Sequence, residues 1–323
     1  MTYLFVTLFL VLMGYIVYFN VAESEKIINS PYNTRQDTFS DRVVRGSILD
    51  RNGEVLAKTE VAEDGSEVRT YPYGEVFAHV VGYDVNGKSG LESAENFDLL
   101  TSNAFFVERI IKEFQAEKNT GDSVVTTLDA KLQTAAYNAL GDEKGAVVVM
   151  EADTGKILAM VSKPSFDPNS VEENWEYLNS DNEQSPLLNR AMQGAYAPGS
   201  IFKIVTALEF IREQPDYNAY TYDCYGEITY DGTTIPCFDH IAHGLQDLNA
   251  SFANSCNSSF ANIGLSLDRK AYAKTCEQLL FNSKLPSVLD YRKSDFSLDE
   301  TSTNAEAMMT AMGQGDTQVS PYH

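Results

Sequence analysis

Ala197-Pro198-Gly199-Ser200-Ile201-Phe202-Lys203 sets a serine three residues before a lysine, at the head of an apolar stretch that runs to Phe210. Of the serines in this chain, only Ser200 has a lysine at the third position after it. A serine hydroxyl is a poor nucleophile at neutral pH and needs a base beside it. If Ser200 opens a helix, Lys203 lies on the same face one turn later. The free N–H groups and positive dipole end of a helix N-terminus also suit a developing oxyanion. The segment has a plainer reading too: Ser after Pro-Gly is an ordinary helix N-cap, and a Ser/Lys pair arises by chance. The rest of the chain must decide between them.

A lysine can serve as base only when neutral, and an unperturbed lysine is only about 0.04% neutral at pH 7. The nucleophile reading therefore requires Lys203 to be buried among apolar groups or set beside another cation. A second hydroxyl would help return the proton to a leaving amine. Ser255-Cys256-Asn257 offers one, with an amide two residues on. Ser180-Asp181-Asn182 and Ser302-Thr303-Asn304 share the pattern but sit in polar surroundings, whereas Ser255 lies within a helical pattern over 248–265.

The chain has 323 residues, 43% of them hydrophobic, enough for two domains with real cores. Its formal charge of −22, spread along the chain, argues against a nucleic-acid partner, which needs a basic footprint. Tyr3 to Phe19 is an uncharged apolar run of about bilayer-spanning length with aromatic residues at its far end. No good signal-peptide cleavage site follows it, so an uncleaved single-pass anchor is expected, the bulk of the chain lying on one side of the membrane.

The cysteines Cys224, Cys237, Cys256 and Cys276 show no C-x-x-C or zinc-finger spacing. Cys224 and Cys237 bracket a hairpin-like segment; a disulfide between them and free buried thiols are both open. His240 and His243 form an H-x-x-H pair with no third ligand nearby in the sequence, which favours a loop or packing role. No metal or cofactor is expected.

Along the chain, residues 23–42 read as a polar connector. Two short apolar strands flank Asp50-Arg51-Asn52-Gly53, a strong hairpin signal. Further turns fall at 69–74 and 87–91, with a helix near Phe105 to Phe114. A strand at 123–127 leads into a helix capped by Asp129, with Leu132, Ala136 and Leu140 on one stripe. Gly145–Met150 and Lys156–Val161 flank Asp153-Thr154-Gly155 as a hairpin of two well-buried strands. Residues 175–197 read as polar connection and 222–235 as β-structure.

Taken together these segments resemble the penicillin-binding proteins, in particular the monofunctional class B transpeptidases of Gram-positive type. Arg45 to Gly53 resembles the family's motif just outside the membrane, and Gly90-Leu91-Glu92 its SGLE turn. Ala197 to Lys203 resembles the nucleophile segment and Ser255-Cys256-Asn257 the second motif. Gly313-Gln314-Gly315 and Val319-Ser320-Pro321 resemble the GQG…TP segment.

The resemblance implies an α+β chain in three parts. These are a membrane anchor and junction at 1–22, an extracytoplasmic pedestal at 23–122 and a transpeptidase domain at 123–323 built as an antiparallel sheet with helices. It implies Ser200 as nucleophile toward D-alanyl-D-alanine stem peptides and β-lactams, Lys203 as base, Ser255 as proton shuttle and Asn257 as substrate-amide partner. A membrane glycosyltransferase is an implied partner. The family's Lys-Thr-Gly motif does not follow Ser255 in this sequence, and Lys88-Ser89-Gly90 precedes Ser200. The domain is therefore expected to be C-terminally incomplete. That departure keeps a non-catalytic envelope scaffold in view, beside a β-lactamase-like acyl-serine hydrolase.

Overall fold

The computed structural model describes residues 2–19, 43–102 and 118–323. The expected helix near Phe105 to Phe114 and the connector at 23–42 lie outside the described residues. Packing divides the chain into two units, Met1–Ala191 with Val288–Asp290, and Met192–Ser287 with Tyr291–His323.

At the start of the first unit, Thr2–Tyr18 forms a 17-residue helix with exposed apolar side chains. Among the described residues no helix is long and apolar enough to cross a membrane, so the expected transmembrane helix is not met there.

The same unit holds strands β1 (Val43–Val44), β2 (Ile48–Leu49), β3 (Val55–Val61), β4 (Glu67–Thr70), β5 (Asn119–Thr120) and β6 (Val124–Val125). They pair as a sheet in the order β4-β3-β2-β6, and separately as a parallel β1-β5 pair. The β2–β3 hairpin forms where Asp50 to Gly53 predicts it. The Asp50 carboxylate accepts the N–H groups of Asn52 and Glu54, and Gly53 takes a positive φ.

The Arg45-Gly46 and Gly90-Leu91-Glu92 segments meet. Glu92 is fully buried between Arg45 Nε at 2.5 Å and Arg69 Nε at 2.7 Å. Gly46 runs so close to Asp122 that a Cβ there would lie 1.9 Å from its carbonyl oxygen. These motifs thus knit the first unit together through a buried ion network and a backbone crossing.

Asp129 caps the Ala130–Ala139 helix by accepting from the N–H groups of Lys131 and Leu132. Leu132, Ala136 and Leu140 pack against the antiparallel hairpin of β7 (Gly145–Met150) and β8 (Ile157–Lys163). Only β8 is well buried, with the Ala130–Ala139 and Ala78–Val81 helices against it; β7 is half-exposed along its length.

Residues 175–197 are not all connection. A helix covers Val171–Ser180, entered through Asp167 and Pro168, and buries Val171 and Leu178 with Ala78, Tyr83 and Phe166. Its apolar stripe is narrow and its other face carries Glu172, Glu173 and Glu176, which hides the periodicity.

The second unit is helical around an aromatic core of Phe202, Phe210, Phe260, Tyr272, Phe281 and Phe296. The Asn257–Ser266 and Asn304–Ala311 helices approach closely at Gly264, whose Cβ position would lie 2.8 Å from the Ala307 carbonyl oxygen. Beside the helices lie β9 (Thr221–Cys224), β10 (Glu227–Tyr230), β11 (Thr233–Pro236) and β12 (Gly244–Asp247). Strands β10 and β11 form a hairpin turned by Asp231 and Gly232, both at positive φ, and β12 pairs antiparallel with β9.

Candidate active site

Ser200 does not begin the α-helix; it lies in a 3₁₀ turn, Gly199–Phe202, that feeds the helix Lys203–Glu213. The outcome for spacing is the one the sequence predicts. Lys203 Nζ reaches back to within 3.4 Å of Ser200 Oγ. The turn is held from a distant part of the chain: Gly199 donates its N–H to the Gly313 carbonyl at 2.8 Å. Gly313 has φ 80°, and a Cβ there would sit 1.9 Å from the Gly199 carbonyl oxygen. A further brace pairs Tyr196 with Val319 in both directions.

The predicted helix over 248–265 is broken. Leu248–Ala253 ends, Ser255 adopts φ 49°, and a new helix runs over Asn257–Ser266. The left-handed residue turns Ser255 toward the lysine. Lys203 Nζ donates to Ser255 Oγ at 3.0 Å, to the Ser255 carbonyl at 2.7 Å and to Asn257 Oδ1 at 2.7 Å. Asn257 in turn donates from Nδ2 to the Pro236 carbonyl at 3.0 Å. The other three residues singled out in the sequence, Ser200, Ser255 and Asn257, therefore converge on the Lys203 amine.

Burial separates their tasks. Lys203 is only 1% exposed, with the Phe260 ring centroid 5.6 Å from Nζ, whereas Ser200 and Ser255 are exposed. Desolvation brings the Lys203 pKa down from its ordinary value to about 8. About a tenth of such a lysine is neutral at pH 7, a gain of more than a hundredfold over an unperturbed one. A partly neutral amine within reach of two exposed hydroxyls is an arrangement for moving protons on and off serine oxygen.

The sequence leaves His240 and His243 without a third ligand, and here the fold corrects it. Pairing of β9 with β12 sets Gly244 opposite Cys224, and so brings His243 Nδ1 to 3.5 Å from Cys224 Sγ. Cys237 lies beyond the end of β11, and Cys256 caps the Asn257–Ser266 helix. The donor atoms of Cys224, Cys237, His243 and Cys256 all lie within 4.8 Å of one another. His240 instead faces Glu227. Of the two open readings for Cys224 and Cys237, the structure has free thiols, 3.6 Å apart.

Residues 145–323 match the penicillin binding protein transpeptidase domain, and residues 45–124 match the penicillin binding protein A dimerisation domain. This chain belongs to the penicillin-binding protein transpeptidase family. It is 32% identical over 310 residues to the peptidoglycan D,D-transpeptidase PbpA of Mycolicibacterium smegmatis, covering 86% of this chain and 60% of that protein. It is 27% identical over 296 residues to penicillin-binding protein 3 of Bacillus subtilis, covering 79% of this chain and 43% of that one. Among solved structures, the imipenem acyl-enzyme complex of penicillin-binding protein A from M. tuberculosis superposes with a TM-score of 0.79 at 29% identity. That match covers 87% of this chain and 69% of the other. The chain thus spans 60% or less of the length of these two curated relatives.

Proposed function

We propose that this chain acts as a penicillin-binding D,D-transpeptidase with Ser200 as its nucleophile. The observation that carries the reading is the position of Lys203 Nζ, shared between Ser200 Oγ, Ser255 Oγ and Asn257 Oδ1 and shielded from water.

Neutral Lys203 takes the Ser200 proton as Oγ attacks the penultimate D-alanine carbonyl of a stem peptide. The backbone N–H of Ser200 supports the oxyanion. Collapse breaks the C–N bond to the terminal D-alanine, whose nitrogen receives its proton through Ser255. An amine from a neighbouring stem peptide then attacks the acyl-serine, releases Ser200 and forms the crosslink. Asn257, already holding the lysine, orients the substrate amide. β-Lactams enter the same first step and leave an acyl-serine. The acyl-enzyme structure of the related penicillin-binding protein A supports this by likeness.

The same reading assigns residues 23–122 to an extracytoplasmic pedestal and 123–323 to the transpeptidase domain. The apolar run at 3–19 is its anchor in the cell membrane, where a glycosyltransferase is the natural partner.

Labelling the full chain with a fluorescent penicillin tests the assignment. Covalent labelling that is lost in Ser200→Ala is expected; an unlabelled protein, or equal labelling of the variant, would overturn it.

A further inference from the structure

We propose that Cys224, Cys237, Cys256 and His243 bind a structural zinc ion, through three thiolates and the imidazole Nδ1.

The geometry carries the inference. Two sulfurs about 2.3 Å from a tetrahedral zinc lie ~3.8 Å apart, and a sulfur and an imidazole nitrogen lie ~3.6 Å apart. Here Cys224 and Cys237 Sγ are 3.6 Å apart, and Cys237 and Cys256 Sγ 3.7 Å. Cys224 Sγ and His243 Nδ1 are 3.5 Å apart. Three of the six edges joining the four donor atoms therefore already have the lengths of a zinc tetrahedron, and all six lie within 4.8 Å. A thiolate-rich tetrahedral donor set favours zinc over the oxygen-seeking cations magnesium and calcium.

The surroundings suit thiolates. The Cys224 sulfur accepts the Gly226 N–H and the Cys256 sulfur accepts the Ser259 N–H, both at 3.4 Å, while Ser258 Oγ lies 3.1 Å from the Cys237 sulfur. Outer contacts of this kind orient ligands and hold their charge. All three cysteines are buried together, with Tyr222 packed against them. On binding, the three thiols release their protons to solvent as the metal–sulfur bonds form.

The four ligands close a space among three segments: the end of β9, the β11-to-β12 connection and the start of the Asn257–Ser266 helix. Cys256 stands between Ser255 and Asn257, so the ion fixes the backbone that presents both to Lys203. The ion is a positioning element that acts on Ser255 and Asn257 through Cys256.

The test is metal analysis of the full chain after zinc reconstitution and desalting. One zinc per chain is expected, and cobalt substitution should give sulfur-to-metal charge-transfer and ligand-field bands of a tetrahedral thiolate site. Cys237→Ser and His243→Ala should each weaken zinc affinity at least tenfold. Cys276→Ala, which alters the cysteine outside the cluster, should retain the metal. Ser200→Ala should bind zinc as the parent does, which separates this inference from the assignment of the nucleophile. Absence of bound zinc and of cobalt–thiolate bands, equal metal loss in Cys276→Ala, or a Cys224–Cys237 disulfide in the labelled protein would each overturn it.

Discussion

Asn257 Oδ1 accepts a hydrogen bond from Lys203 Nζ at 2.7 Å, so the residue proposed to meet the substrate also holds the proposed base. Its amide is neutral, and neutrality is what the lysine needs. Asn257→Asp would place a carboxylate where the amide now stands and stabilise the ammonium. At 4 Å and an effective dielectric of 20 such a pair is worth about 4 kcal/mol. Penicillin acylation at pH 7 should therefore fall at least tenfold, with its pH profile displaced upward by one unit or more. Stopped-flow acylation across pH checks this; an unmoved profile would count against Lys203 as base.

Burial sets the pH dependence of the parent protein. Desolvation lowers the Lys203 pKa, so its neutral form grows as pH rises toward about 8 and saturates above it. The acylation rate should climb about tenfold per pH unit below that value and then level off. A midpoint near 10, the ordinary lysine value, would show that the base is not this buried amine. Lys203→Arg should abolish acylation, because a guanidinium stays charged.

Ser255 sits at φ 49°, a conformation costing about 1–2 kcal/mol for a residue with a Cβ. Ser255→Gly should thus be more stable than Ser255→Ala by about 1 kcal/mol in chemical denaturation. Both variants should lose roughly 10²–10⁴ in acylation rate, since both lack the hydroxyl. A Gly variant with parental rates would remove Ser255 from the proton path.

Glu92 bridges two arginines in the first unit. Glu92→Ala would leave Arg45 and Arg69 buried without the carboxylate that bridges them, a loss of about 3–5 kcal/mol. Thermal unfolding should show a clear fall in Tm. Stability equal to the parent would mean that the network is not a buried ion cluster in solution.

The elements read correctly from sequence are those whose cause is local. Asp50-Arg51-Asn52-Gly53 carries its own turn chemistry, and Asp129 its own cap. Ser200 and Lys203 meet because residues three apart share a helical face, whichever helix type delivers them. The misreadings have non-local causes. The Val171–Ser180 helix shows its apolar stripe only against Phe166 and Tyr83. The break at Ser255 is repaid by contacts to a lysine 52 positions away. The cysteine and histidine cluster draws on separate segments that no spacing rule joins. An H-x-x-H pair within reach of three cysteines was the available signal, and only strand pairing turns it into a cluster.

Gly199 and Gly313 touch through their backbones, and Tyr196 is paired to Val319. The turn that presents Ser200 is thus braced by residues made more than a hundred positions later. During synthesis the serine emerges before the segment that braces it. The backbone setting of Ser200 is therefore completed only when the Gly313 and Val319 segments have docked against Gly199 and Tyr196.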